Sequence, residues 1–315
     1  MKGYAKPLHE FIEGHKIQFV IPVYQRNYDW LIDNCDQLFS DLVKLSRSNR
    51  CSHFFGSIVT SSADSSYNRL VIDGQQRLTT ISLLLLAGIK AVKDGAIEIS
   101  EESKIDEAYE VFLKAKFCNS ERKIKLVPIE NDRIAYDKIF NEEDSFDEDS
   151  KVTRNYRHFY DLLTRKPQAL SFDQLLDAIE RLQIISIELD SDDDAQLIFE
   201  SLNSTGLALT EADKIRNYLL MSLTPEEQHM CFKNYWQKIE QATENQPTKF
   251  LRDYLTIQQQ LQRPVRQSNI YYEWKKYMDG HGRKEELVKM LDYAHYYQQV
   301  TEAKLSTAKL SEKMR

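Results

Sequence analysis

The sequence predicts an α+β chain, with a small sheet drawn mostly from its first part and a largely helical remainder. Three observations predict it. Only nine glycines and seven prolines occur in 315 residues, and long apolar periodicities at helical spacing fill the chain between them. Strand-like runs concentrate early, at Lys16–Val20, His53–Thr60 and Arg69–Ile72. A strand pattern at Ile184–Leu189 stands isolated among helices and has to pair with those early strands, so the sheet draws on most of the sequence.

Length fits roughly two domains and a sizeable core. Hydrophobic content of 42% and charged content of 29% are ordinary for a soluble globular chain. The net charge is −7, so nucleic acid would have to meet a local basic patch and not a basic whole. Cys35, Cys51, Cys118 and Cys231 lie far apart without a CxxC pair. That spacing fits reduced thiols of a cytoplasmic protein better than a disulfide framework or a zinc site. No apolar run is long enough to span a membrane. Met1-Lys2-Gly3-Tyr4 lacks the apolar core of a signal peptide.

In chain order, Pro7 to Phe11 predicts a short helix closed by Gly14, and Lys16 to Val20 a strand. Ile21 to Trp30 follows, with Pro22 preventing central-strand pairing. It contains Tyr24, Gln25, Arg26, Tyr28 and Trp30. Two readings stand equal: a loop that tucks its aromatics into the core, or one that presents Gln25 and Arg26 to a ligand. Leu31, Cys35, Leu38, Leu42 and Leu45 mark an amphipathic helix. Gly56 interrupts the strand at His53–Thr60, which points to a bulge or the close approach of another group. A long-looped hairpin through Ser61–Asn68 returns the chain to Arg69–Ile72.

The stretch Leu70-Val-Ile-Asp-Gly-Gln-Gln-Arg-Leu-Thr-Thr80 carries the most information. Val71 and Ile72 suit a buried strand, and Leu78, Ile81, Leu85 and Ile89 recur at helical spacing. Asp73 and Gln76 have the spacing of a capping box. That structural reading leaves Arg77 unexplained, because the dipole of a helix disfavours a cation in its first turn. An anion at the helix start would explain it, and Gly74 would let that anion approach the backbone. Gly95 serves as the C-terminal stop.

Helices are expected over Glu102–Lys116, Asn131–Phe140, Lys151–Thr164 and from Phe172 to Leu182, with a short strand at Lys123–Val127. Asn141–Ser150 is acidic; a solvated loop is the expectation and metal binding the alternative. Ser191 with Asp192, Asp193 and Asp194 starts a helix that Gly206 ends. Thr210 and Asp213 cap the next, and Thr224-Pro225 starts a third. Beyond it, Tyr235, Trp236, Phe250, Tyr254, Tyr271, Tyr272, Trp274 and Tyr277 interleave with Arg252, Arg263, Arg266, Lys275, Lys276, Arg283 and Lys284. Stacking on nucleic acid uses such residues; a helical core with snorkelling surface cations is the favoured reading.

Four blocks in this order, Ile21-Pro-x-Tyr-Gln-Arg-x-Tyr-x-Trp30, Phe55-Gly-Ser-Ile58, Asp73-Gly-Gln-Gln-Arg77 and Ile198-Phe-Glu-x-Leu-Asn203 continuing to Gly206, Asp213 and Asn217, closely resemble the GmrS-like domain of the GmrSD family of modification-dependent (Type IV) restriction proteins. The resemblance spans about residues 15 to 220. It implies a small mixed β-sheet of ParB/sulfiredoxin-like fold followed by a mostly helical domain. The implied organisation is a nucleotide-binding core over 1–98, a helical insertion with a returning strand and helix pair over 99–222, and a helical C-terminal region over 223–315.

The resemblance also implies that Asp73, Gly74, Gln75, Gln76 and Arg77 bind and help hydrolyse a nucleoside triphosphate with Mg2+. Gln25, Arg26, Gly56 and Ser57 would line the same pocket, and Asn203 and Gly206 would close it. Asp73, Gln76 and Arg77 are the implied catalytic residues. Asp73 would hold the magnesium ion or orient the attacking water, Arg26 and Arg77 would neutralise phosphate charge, and a glutamine would position the water or the phosphates. The implied partners are modified DNA, an HNH nuclease domain or subunit, and a second copy of the chain. No His-Asn-His cluster is present, since His281 and His295 lack the setting; the expectation is a piece of a longer chain or the S-type subunit of a two-chain system. The rival reading is a non-catalytic DNA-sensing or protein-interaction module in which the Asp73–Arg77 turn is structural. A third reading, in which this chain itself cuts DNA, finds only scattered acids.

Overall fold

The structure, a computed structural model, describes residues 1–48, 50–62, 67–118, 123–165, 170–190, 192–202 and 209–313. It divides into two compact units, Met1–Asp193 and Asp194–Arg315. The architecture is the expected α+β. The first unit holds a six-stranded mixed sheet of strands β1 (Lys2–Pro7), β2 (Gln18–Val20), β3 (His53–Ser62), β4 (Asn68–Asp73), β5 (Leu126–Val127) and β6 (Leu182–Leu189), in the order β1-β6-β3-β4-β2-β5. Strands β3 and β4 form the expected antiparallel hairpin. β6 lies between β1 and β3, parallel to β3 and antiparallel to β1. That return ties residues as late as 189 to the early strands, and the first unit accordingly runs to Asp193, whereas the sequence-based boundaries stand at 98/99 and 222/223.

Strand β1 has no counterpart in the sequence reading. Its residues are exposed over most of its length, as befits an edge strand. With no buried face it leaves no alternating pattern to read; it pairs with β6 along its whole length.

Helices α1 (Leu8–Ile12), α2 (Ile32–Ser46), α3 (Gln75–Lys93), α4 (Ser103–Ala108, continued by a π-helical turn at Tyr109–Leu113), α5 (Glu130–Phe140), α6 (Lys151–Thr164) and α7 (Phe172–Glu180) complete the unit. α3 is its centre. Leu78, Ile81, Leu83, Leu84, Leu85, Ala87, Ile89 and Ala91 are all buried, so the helix is enclosed on every side and not merely along one stripe. The core it joins includes Ile58 and Val71 of the sheet, Leu38 and Leu42 of α2, Phe159 of α6 and Leu175 of α7. The sheet and α3 therefore hold the β4–α3 junction as a rigid corner.

The second unit contains α8 (Ala195–Leu202), α9 (Glu211–Leu220), α10 (Pro225–Cys231), α11 (Gln237–Ala242), α12 (Pro247–Gln258), α13 (Ile270–Tyr277) and α14 (Arg283–Lys313). The cap at Thr210/Asp213 forms as expected, as a capping box, and the helix start expected at Thr224-Pro225 carries a further capping box between Thr224 and Glu227. Asp194 accepts from the Leu197 amide at 3.0 Å, which starts α8 later than Ser191. Trp236, Phe250, Tyr254 and Trp274 are core residues. Lys275 pairs with Glu200 and Arg252 with Asp253, so the mixture of aromatics and cations is largely a packed core with paired surface charges. Asn203 and Gly206 lie outside the described residues. Among the described residues no helix is long and apolar enough to cross a membrane, and the four cysteines are free thiols.

Candidate functional site

The site begins where β4 ends. Val71 and Ile72 are buried in the sheet, and Asp73 is the last strand residue. Gly74 then turns the chain in one step, with φ +93°. That left-handed backbone favours glycine. A Cβ at Gly74 would also stand 3.0 Å from Ile58 Cγ1 and 3.2 Å from both Ile58 Cα and the Ser57 carbonyl oxygen. Helix α3 starts at Gln75 with Gly74 as its N-cap and without a side-chain cap.

This corrects the capping box expected between Asp73 and Gln76. The spacing fits, but the left-handed glycine takes the cap position, which leaves Asp73 outside the helix and sends the Gln76 side chain elsewhere. The first turn of α3 contains no acidic residue, and the carboxylate beside it, Asp73, lies just before the helix and accepts from the Gly74 amide.

Arg77 folds back from the first turn onto strand β3. Its Nη1 donates to the Ser57 carbonyl at 2.9 Å, and the same nitrogen lies 3.8 Å from Asp73 Oδ2. The second distance is an electrostatic contact, longer than a hydrogen bond. The side chain keeps 26% of its surface exposed, so the guanidinium is not locked into a close internal acid pair. It rests on Gly56: a Cβ there would stand 2.7 Å from Nε and 2.9 Å from Cζ. Gly56 has φ +119° and sits where the β3–β6 register shifts. The close approach expected at this glycine is thus that of Arg77.

Burial pushes the Asp73 carboxyl above its ordinary range, opposed by the Arg77 guanidinium, the Gly74 amide and Arg26. Arg26 therefore acts electrostatically on the same carboxylate. It comes from the Ile21–Trp30 segment, whose tyrosines go into the core as the first of the two readings expects. Tyr24 and Tyr28 are buried, while Gln25 joins the turn. Gln25 is 3% exposed; its Nε2 donates to the Ile72 carbonyl at 2.8 Å and its Oε1 accepts from Gln75 Nε2 at 3.2 Å.

Gln76 is committed to the same segment. Its Oε1 accepts from the amides of Asp29 at 2.7 Å and Trp30 at 3.2 Å, and its Nε2 donates to the Asn27 carbonyl at 3.1 Å. Thr80 hydrogen-bonds the Tyr28 hydroxyl at 2.8 Å, and Asn155 of α6 donates to that hydroxyl at 3.0 Å and to the Trp30 carbonyl at 2.9 Å. Asp132 of α5 accepts from the Tyr28 amide at 2.6 Å, and Lys151 pairs with Asp29. Residues Asn27–Trp30 thus form a strap tied to α3, α5 and α6. Sequence reasoning passed over Asp132 and Asn155. The one available signal was a polar residue, Asn155, beside the apolar face of Tyr156, Phe159 and Leu163.

Burial, reinforced by the Asp29 carboxylate, raises Asp132 from 3.8 to about 6, against the opposing Tyr28 amide and Lys151. Between those two values the folded state holds more protons than the unfolded one. Stability should therefore fall as pH rises through this window, and the full cost should persist above it. We expect this group to remove on the order of 1–3 kcal/mol between about pH 4 and 6.5. Urea unfolding should show that Asp132→Asn lacks this drop; equal pH slopes for variant and wild type would contradict it.

Among the described residues no group of three or more His, Cys, Asp or Glu side chains is arranged to hold a metal ion, including those of the acidic 141–150 segment. The corner thus brings together Gln25, Arg26, Gly56, Ser57, Asp73, Gly74, Gln75, Gln76 and Arg77, and offers one carboxylate, two guanidinium groups and an uncapped helix start.

No curated protein matches the sequence. The family model described as "GmrSD restriction endonuclease, N-terminal domain" matches residues 8–220, which spans strands β2 to β6, α3 and every described part of the corner. With more than half of the chain matched, the protein belongs to the GmrSD restriction endonuclease N-terminal domain family.

Proposed function

We propose that the first unit binds a nucleoside triphosphate against the Asp73–Arg77 turn and hydrolyses it, as the regulatory domain of a modification-dependent DNA restriction system. Its partners are modified DNA and an HNH nuclease domain or subunit. The observation that carries this reading is the Arg77 guanidinium: part-exposed, resting on Gly56, and held at the mouth of a helix whose first turn has neither a side-chain cap nor an acid.

The residues fit the ligand. Phosphate oxygens are matched by the guanidinium of Arg77, by the charge of Arg26 and by the free amides of the first turn of α3. Gly74 and Gly56 keep Cβ atoms out of the approach. Asp73 is a single carboxylate, which suits a magnesium ion held chiefly by phosphates and water. When bound, Mg2+ supplies charge neutralisation to the phosphates. Asp73 also stands where it can orient a water toward the phosphates. Gln25 and Gln75, hydrogen-bonded to each other and to the end of β4, back the turn and hold its shape.

A second reading has its own support: Arg77 already satisfies the Ser57 carbonyl, and the amides of Gln25 and Gln76 serve protein partners. In that reading the corner is structural and the chain senses DNA or a protein. Calorimetric titration with ATP, GTP, CTP and UTP, each with Mg2+, separates the two. The proposal expects at least one to bind with a Kd on the order of micromolar and to release phosphate. Absence of all binding, with DNA affinity that falls steeply with salt, would favour the second reading.

A further inference from the structure

We propose that Gln76, Tyr28 and Asn155 are positioning residues that hold the Asn27–Trp30 strap across the start of α3 and so set Arg26 against the phosphate-facing turn. The inference rests on the nucleotide-site reading above and reassigns Gln76 from the chemistry to the geometry of the site.

The hydrogen bonds fix a direction. Thr80 Oγ1 donates to the Gln76 carbonyl at 2.7 Å, which uses its only proton. The Tyr28 hydroxyl, 2.8 Å away, therefore donates to Thr80. It in turn accepts from Asn155 Nδ2 at 3.0 Å. One ordered chain thus runs from Asn155 through Tyr28 and Thr80 to the backbone of Gln76. The second proton of Asn155 Nδ2 serves the Trp30 carbonyl at 2.9 Å.

The Gln76 side chain closes the other side by taking two strap amides and giving one proton to the Asn27 carbonyl. Three backbone groups of an irregular segment are thereby satisfied by one amide. A carboxylate could not do this, since it has no proton for Asn27. Arg26 lies between Gln25, whose side chain is tied to the Ile72 carbonyl and to Gln75, and Asn27, whose carbonyl is held by Gln76, so both its neighbours are fixed at the turn. Fixing residues 27–30 fixes where the Arg26 charge is delivered. Asn155 touches none of the phosphate-facing groups, so it acts only through the strap.

The test is a double-mutant cycle on the full chain, read as ATP, GTP, CTP or UTP affinity by calorimetry, with thermal unfolding alongside. Asn155→Asp puts an acceptor where two donors are required. It should weaken binding of the preferred nucleotide about 10-fold in the wild-type background. In the Arg26→Ala background it should cost less than about 2-fold, because the strap then has no cation to place. Tyr28→Phe removes one hydroxyl while keeping the ring, and should show the same pattern if Asn155→Asp fails to fold. Equal losses in both backgrounds, no loss in either, or an Arg26→Ala variant that binds like wild type would overturn the inference while leaving a nucleotide site in place. Failure of the wild-type protein to bind any of the four nucleotides would instead remove the site reading itself and the inference with it.

Discussion

Arg77→Ala should lower nucleotide affinity by roughly 100-fold and abolish most phosphate release. A charge-assisted hydrogen bond contributes about 1.5–3 kcal/mol, and each 1.4 kcal/mol is a factor of ten. The guanidinium would make more than one such bond to phosphate, in a place where the α3 dipole already favours an anion. Arg77→Lys should recover only part of the loss, since an ammonium keeps the charge but loses the planar fork. Folding should suffer far less, by about 1 kcal/mol, because the one hydrogen bond removed goes to the Ser57 carbonyl. Calorimetry and urea unfolding on the same preparations check both halves. An alanine variant that binds like wild type, or one that fails to fold, would count against the assigned role.

Gly56→Ala should damage the site nearly as much while removing no charge at all. The added Cβ would meet Arg77 at 2.7 Å from Nε and 2.9 Å from Cζ, so the guanidinium has to leave its seat. The backbone at φ +119° also becomes strained, which costs on the order of 1–3 kcal/mol in stability. The two effects separate in the Arg77→Ala background. There the steric target is gone, so the affinity cost of Gly56→Ala should vanish while the stability cost remains. An affinity cost that persists unchanged without Arg77 would mean that Gly56 acts through something other than the guanidinium.

Much of this corner was legible in the sequence, for definite physical reasons. Val71 and Ile72 before a polar turn, then Leu78, Ile81 and Leu85 at helical spacing, announce strand, turn and buried helix. Gly56 inside a β-rich run announces a close approach, though not whose. Thr210 with Asp213, and Thr224 before Pro225, announce helix starts, and both form as capping boxes. The strand at 184–189 had to return to the early strands, and it does so between β1 and β3.

What stayed hidden has equally definite causes. Asp73 and Gln76 have capping spacing, but a single left-handed glycine between them pre-empts the cap, and no residue pattern ranks the two solutions. β1 pairs with β6 along its length, but its mostly exposed side chains carry no periodicity. The partners of Gln76 lie 46 to 49 residues away along the chain, and Asn155 meets Tyr28 across 127 residues. Such hydrogen bonds depend on tertiary placement, which local spacing does not encode.

In the proposed function the Arg77 guanidinium, seated on Gly56 at the mouth of α3, faces a phosphate. The most direct measurement is a crystal structure of the protein grown with Mg2+ and a non-hydrolysable analogue of the nucleotide it prefers. The account predicts phosphate oxygens within hydrogen-bond distance of Arg77 and of the first amides of α3, with Asp73 beside the metal. A nucleotide bound elsewhere, with Arg77 still on the Ser57 carbonyl and nothing in front of it, would contradict the account.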